Sequence, residues 1–210
     1  MPLIQTVAPS EEPVSLVDAK NHLRVDTDLT QDDVLINLLI GAARRYAEMY
    51  CNRSFITQQW RLVLDSFPGN AMYGVPFGIT FSLPGNAILI ERGPVQSLDS
   101  ITYTAMDGTE AAMPAADWIA ELSGGLARVT PRFGKIWPIP LPQIGAVKVN
   151  FTAGYGAMAS DVPEGIRQWI LLRVSSLYEN REEVAVMQRG NVSPLPYVDG
   201  LLDPYRVVTA

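Results

Sequence analysis

One histidine and one cysteine in 210 residues leave little material for the common chemistry of enzymes and metalloproteins. His22 alone cannot build a His-rich metal site or activate a nucleophile within a triad. At the end of a short helical segment, it reads as a cap or surface residue. Cys51 has no partner for an internal disulfide and fits a reducing compartment. The chain also lacks a Gly-x-Ser-x-Gly elbow, a Cys-x-x-Cys pair and a phosphate loop, since Gly134-Lys135 has neither the upstream glycine nor the hydroxyl residue that such a loop needs. Gly154-Tyr155-Gly156 lacks the third glycine of a dinucleotide loop and reads as a bend from strand to helix. Asp32/Asp33 and Glu182/Glu183 are sequence neighbours, so their carboxylates diverge on a helix instead of converging on a substrate. No catalytic, cofactor-binding or metal-ligating residue is expected.

Positive charge is scarce too. Sixteen Lys and Arg stand against 22 Asp and Glu, for a net charge of −6. That excludes a conventional nucleic-acid module, which needs a basic stripe to displace phosphate counterions. It leaves room for an acidic wall past which DNA moves without sticking. Arg44, Arg45, Arg167, Arg173 and Arg181 lie among acids and read as salt-bridged faces. No apolar run nears the roughly 18 residues of a membrane span, and Met1-Pro2-Leu3-Ile4-Gln5 has no basic region leading into an apolar one, so cytosolic synthesis without a membrane partner is expected.

What is present is an ordinary core-forming composition, 48% hydrophobic and 18% charged. A chain of this length buries roughly 70% of its unfolded surface and needs no metal or disulfide staple. Sixteen Gly and sixteen Pro exceed what a helical bundle uses. The expected fold is α+β: a small helical core, with helices near 15–24, 31–51 and 163–181, carrying an inserted β-rich section. Residues 1–54 and 154–210 form the core with its C-terminal tail, and 55–153 the insertion.

The central element is the helix after Val162. Ile166, Trp169, Ile170, Val174, Leu177 and Tyr178 recur at helical spacing, with Leu171 and Leu172 widening the stripe. Asp161 is its expected N-cap. Upstream, residues 1–14 read as an extended arm broken by Pro2, Pro9 and Pro13. Ser15 caps a first helix with Asp18 at N3, and Thr30 a second. The second helix is expected to turn Val34, Leu35, Leu38, Leu39, Ala42, Tyr46, Met49 and Tyr50 inward.

From Phe55 the period becomes two. Strands are expected at 56–65, 87–90, 95–104, 109–113 and 146–152, more weakly at 118–119 and 127–130, with Asp107-Gly108 as a hairpin turn. Residues 69–86 read as a long loop, with a short strand near 79–81. The tail, broken at Gly190, Pro194 and Pro196, cannot bury itself alone, and such a terminus docks on another element or another subunit.

Several stretches resemble, in order and spacing, the head–tail connector proteins of tailed phages, also called adaptor or head-completion proteins. They are Pro13 to Val25, the helix Leu35 to Tyr50 running into Ile56-Thr57-Gln58, Trp60 to Pro68, Phe151 to Gly156, Tyr178 to Glu182 and Leu201 to Arg206. No single motif is specific, and 69–85 has no counterpart. The resemblance implies a structural virion protein, made in the host cytoplasm and placed at the head–tail junction, with no enzymatic activity and no cofactor. It implies a ring of about a dozen copies, a dodecamer, bound to the portal protein. Such a ring extends the channel for packaged double-stranded DNA, helps retain that DNA and offers a docking face to the next connector or the tail protein. Arg44, Arg45, Glu179 and Arg181 are the candidates for subunit interfaces. Leu195, Tyr197, Leu201, Leu202, Pro204, Tyr205 and Arg206 are those for portal docking. A stopper or tail-terminator protein would share the composition but would be mainly a β-barrel without the long helices, and a small enzyme would need polar groups converging in a pocket.

Overall fold

Val147–Ala153 alternates buried and half-exposed side chains without a break, and the β architecture is ordered around it. The structure, a computed structural model, describes residues 2–68, 86–180 and 200–207. They divide into two units, Met1–Ala8 with Thr57–Gly154, and Pro9–Ile56 with Tyr155–Ala210. In chain order the elements are β1 (Leu3–Val7), α1 (Leu16–Leu23), α2 (Asp33–Cys51), β2 (Gln58–Leu64), β3 (Ile88–Ile90), β4 (Val95–Thr104), β5 (Glu110–Ala112), β6 (Trp118–Glu121), β7 (Ala127–Pro131), β8 (Val147–Ala153) and α3 (Glu164–Glu179).

The first unit holds two antiparallel sheets, ordered β1-β2-β8-β4-β5 and β3-β7-β6. Val149 of β8 sits opposite Leu62 of β2 and Ile101 of β4, and Phe151 opposite Trp60 and Leu98. A period of two keeps each such row on one face. Val147, Val149, Phe151 and Ala153 share a core with Ile88, Ile90, Ile101 and Val129. Trp137 closes it, stacked on Phe67 at 4.8 Å and donating its indole N–H to the Asn86 carbonyl at 2.7 Å. The β4–β5 turn falls at Asp107-Gly108: Gly108 has φ of 85°, and the Asp107 carboxylate accepts the Thr109 N–H and hydroxyl.

Leu3–Val7, read from its prolines as part of an arm, is an edge strand on β2. Pro2 and Pro9 bracket it and leave its ladder positions free of proline, which is why the strand survives. The short strand expected near 79–81 lies outside the described residues.

The second unit is helical. Ile36, Ile40, Ala43 and Ala47 of α2 share one core with Ile166, Trp169, Ile170 and Val174 of α3, with Ala19 of α1 and with Phe55. The Ser15 hydroxyl caps α1, accepting the Asp18 N–H at 3.0 Å and donating to its carboxylate at 2.7 Å. Lys20, buried, donates to the Thr27 and Leu29 carbonyls and pairs with Asp33 at 2.5 Å, which ties the turn between α1 and α2.

Two expected caps are replaced. Asp32, not Thr30, is the N-cap of α2, and Pro163, not Asp161, that of α3, neither with a side-chain cap bond. Asp161 turns back instead, and its carboxylate accepts the Met158 N–H at 2.9 Å. That fold-back is possible because Gly156 has no side chain: a Cβ there would lie 2.1 Å from Asp161 Oδ2 and 2.5 Å from its Cβ.

Candidate functional site

Helix α2 is the element whose sequence pattern and structure diverge most. Its buried positions are Ile36, Ile40, Gly41, Ala43, Arg44, Ala47, Glu48 and Cys51. Val34, Leu38 and Met49, expected inside, are 72%, 63% and 76% exposed. Both sides of the helix carry apolar residues at helical spacing, so period alone cannot fix the phase. The small side chains of Ala43 and Ala47 decide it: with Ile36 and Ile40 they face the core, where they let another helix approach, and Val34, Leu38 and Met49 are left outside.

Burial on the inner side includes charge. Arg44 Nε donates to Glu12 Oε2 at 2.7 Å and Nη1 to Glu48 Oε2 at 2.9 Å, while Glu48 Oε1 accepts the Phe55 N–H at 2.9 Å. Burial pulls the Arg44 pKa down, but the bond to Glu12 and the charges of Glu48 and Glu12 outweigh it and leave the value raised. Arg45, next in the chain, is exposed and pairs with no carboxylate among the described residues. Tyr46 is 52% exposed, yet its ring stacks on Trp169 at 5.7 Å with Arg173 over it at 5.8 Å.

The C-terminal segment 200–207 is held by its own chain. Leu202 is 1% exposed within the helical core. Asp203 accepts the Tyr50 hydroxyl at 3.1 Å, the Tyr205 carbonyl accepts Arg53 Nε at 2.5 Å, and the Val207 N–H donates to the Cys51 carbonyl at 2.9 Å. The tail, expected to dock on another element or another subunit, is docked over residues 200–207 at the C-terminal end of α2, because Leu202 finds its apolar partners there.

Beside it a groove of about 830 Å³ is lined by Val14, His22, Glu164, Arg167, Leu171 and Leu201, among others. Arg167 Nε is buried there without a hydrogen-bond partner among the described residues. Among the described residues no group of three or more His, Cys, Asp or Glu could hold a metal ion, and no helix is long and apolar enough to cross a membrane.

Residues 13–105, which include α1, α2 and the strands β2 to β4, match the model of the phage gp6-like head-tail connector protein family. Over that span the chain is similar to the head-tail connector family. The stretches from Pro13 to Pro68 that carry the resemblance drawn from the sequence lie within that span. Connectors of this family are structural components of phage particles and not enzymes.

The likeness in fold reaches beyond the matched span of this chain. A chain solved in the neck of an empty gene transfer agent (GTA) particle, computed with C6 symmetry, superimposes with a TM-score of 0.78 at 22% identity, covering 100% of this chain and 97% of that one. One from the virion of a native gene transfer agent particle gives 0.77 at 22%, and one from the neck of a native particle, computed with C12 symmetry, 0.74 at 20%, with the same coverage. No curated protein matches.

Of the candidate interface residues, Arg45 and Glu179 are exposed, Arg44 is buried, and Arg181 lies outside the described residues. Of the portal-docking candidates, Leu195 and Tyr197 lie outside them. Leu202 is buried, Leu201 and Tyr205 are half-buried, and Pro204 and Arg206 are exposed, with Arg206 over the Tyr50 ring at 5.1 Å. What the sequence reading missed is the outward stripe of α2, for which the signal was present in Ala43 and Ala47.

Proposed function

We propose that this chain is a connector at the head–tail junction of a tailed phage or phage-like particle. Many copies form a ring beneath the portal, extend the DNA channel, help retain packaged DNA and present a docking face to the next connector or the tail. The observation that carries this reading is the family match over residues 13–105. Supporting it are the end-to-end fold likeness to chains from particle necks and the rotational symmetry with which those necks were computed. A net charge of −6 suits a channel that DNA traverses without being gripped. In this reading Arg45, Glu179 and Arg181 contribute to subunit faces, and the segment from residue 195 to 206 reaches the portal through its exposed members, Pro204 and Arg206 among them.

Electron microscopy of particles made without this gene tests the proposal. Filled or leaking heads beside free, finished tails are the expected result. Tails of abnormal length would move the protein to tail assembly, and normal infectious particles would remove it from the junction. Portal docking is tested with Arg206→Glu, because deleting 195–210 would also take Leu202 from the core. Unchanged portal attachment by that variant would sink the assignment.

A further inference from the structure

We propose that the outward stripe of α2, made of Val34, Leu38, Ala42, Arg45 and Met49, is one of the two unlike faces through which copies of this chain bind each other. The inference rests on the connector reading and names the surface that does the joining. Steps of four, four, three and four residues keep these side chains on one side of the helix. Isolated exposed apolar residues are ordinary, but a continuous stripe along four turns marks a contact surface. The stripe is no by-product of incomplete folding, since the opposite side of α2 is fully engaged by the chain's own core.

Three observations favour a second copy as the occupant. Each ring interface joins two different patches of one chain, so every copy must carry an unpartnered face, and α2 lies inside the family-matched span. The rim is pre-set, because Tyr46 is fixed between Trp169 and Arg173 and loses little freedom on docking. Arg45 stands exposed in the stripe and pairs with no carboxylate among the described residues, and an acidic second copy supplies carboxylates in excess. One cation among apolar side chains is a poor match for DNA phosphates. Five side chains cover less than the roughly 800 Å² per partner of a standard interface, so the stripe is the centre of a larger face.

The test places a photo-crosslinking benzophenone amino acid at position 38 of the full chain, with position 17 on α1, also exposed, as the control. In purified particles, irradiation is expected to give adducts of two copies, identified by mass spectrometry, from position 38. Crosslinks only to a different virion protein, or none despite incorporation, would overturn the proposal. Absence of the chain from particles would defeat the connector reading separately. The same irradiation of the concentrated purified chain would then decide the face, copy–copy adducts keeping it and their absence removing it. Leu38→Asp with Met49→Asp is expected to keep the wild-type circular dichroism spectrum and lose copy–copy association. A folded double variant that still associates as wild type would also overturn it.

Discussion

Arg44 Nη1 lies 2.9 Å from Glu48 Oε2, one helical turn away, and both side chains are almost wholly withdrawn from solvent. The neighbouring Arg45 is exposed. Two consecutive arginines thus have opposite tasks, one holding the helical unit together and the other facing outward.

Replacing Arg44 by Met is expected to lower stability by about 3 kcal/mol, because Glu48 is left as a buried charge without its counter-ion. The double variant Arg44→Met/Glu48→Gln should recover part of the loss, since the amide oxygen can still accept the Phe55 N–H. Urea unfolding measures both. Equal stability of Arg44→Met and the wild type would contradict the internal role of the pair.

Gly156→Ala should cost about 1–3 kcal/mol, because the new Cβ would overlap Asp161 and push its carboxylate off the Met158 N–H. Thermal unfolding followed by circular dichroism reads the cost. Asp161→Ala in the same background should be far less than additive, since both changes disturb one contact.

Arg24 ends α1 with φ of 58° and Asn52 ends α2 with φ of 52°, both left-handed. The Arg24 Cβ makes that conformation costly, and Arg24→Gly should raise stability by about 1 kcal/mol. No change in the urea midpoint would mean that the arginine side chain contributes an offsetting contact.

The Glu110 carboxylate accepts the Thr102 hydroxyl at 3.0 Å and faces Lys148 Nζ at 3.3 Å, and these two partners hold its pKa below the ordinary value of 4.5. A lowered carboxylate pKa favours the folded state above the ordinary value, and that contribution is lost as pH falls through the lowered one. An NMR titration should place the Glu110 midpoint below 4.5, and Thr102→Val should move it upward. A midpoint unmoved by that substitution would assign the shift to the Lys148 and Arg61 cations instead.

The parts of the fold legible in the sequence were those where one local rule acts without competition. Strict alternation marked β8, Asp107-Gly108 marked the hairpin, and Ser15 with Asp18 marked the start of α1. The misread parts are those where two rules compete. Helix α2 has apolar residues on both sides, and the inner one is chosen by small residues and a buried ion pair that periodicity undervalues. Asp161 is a good N-cap residue drawn away by the space over Gly156. Leu3–Val7 carries too few buried positions to announce a strand, because its place in the sheet comes from pairing with a partner more than fifty residues away. The interaction surfaces were legible as kinds of residue, with Arg45 among them, but the stripe beside it required knowing which side of α2 the core occupies.

The strand Leu3–Val7 also bears on how this protein can be cut into pieces. A fragment beginning at residue 55, where the alternating pattern starts, would leave behind the strand that covers β2. The backbone groups of β2 that Leu3 to Val7 satisfy would then form an open edge beside Leu62 and Leu64, a template for uncontrolled pairing between fragments. A soluble version of the β unit should therefore carry residues 2–8 fused ahead of residue 57, and the same fragment without them should aggregate.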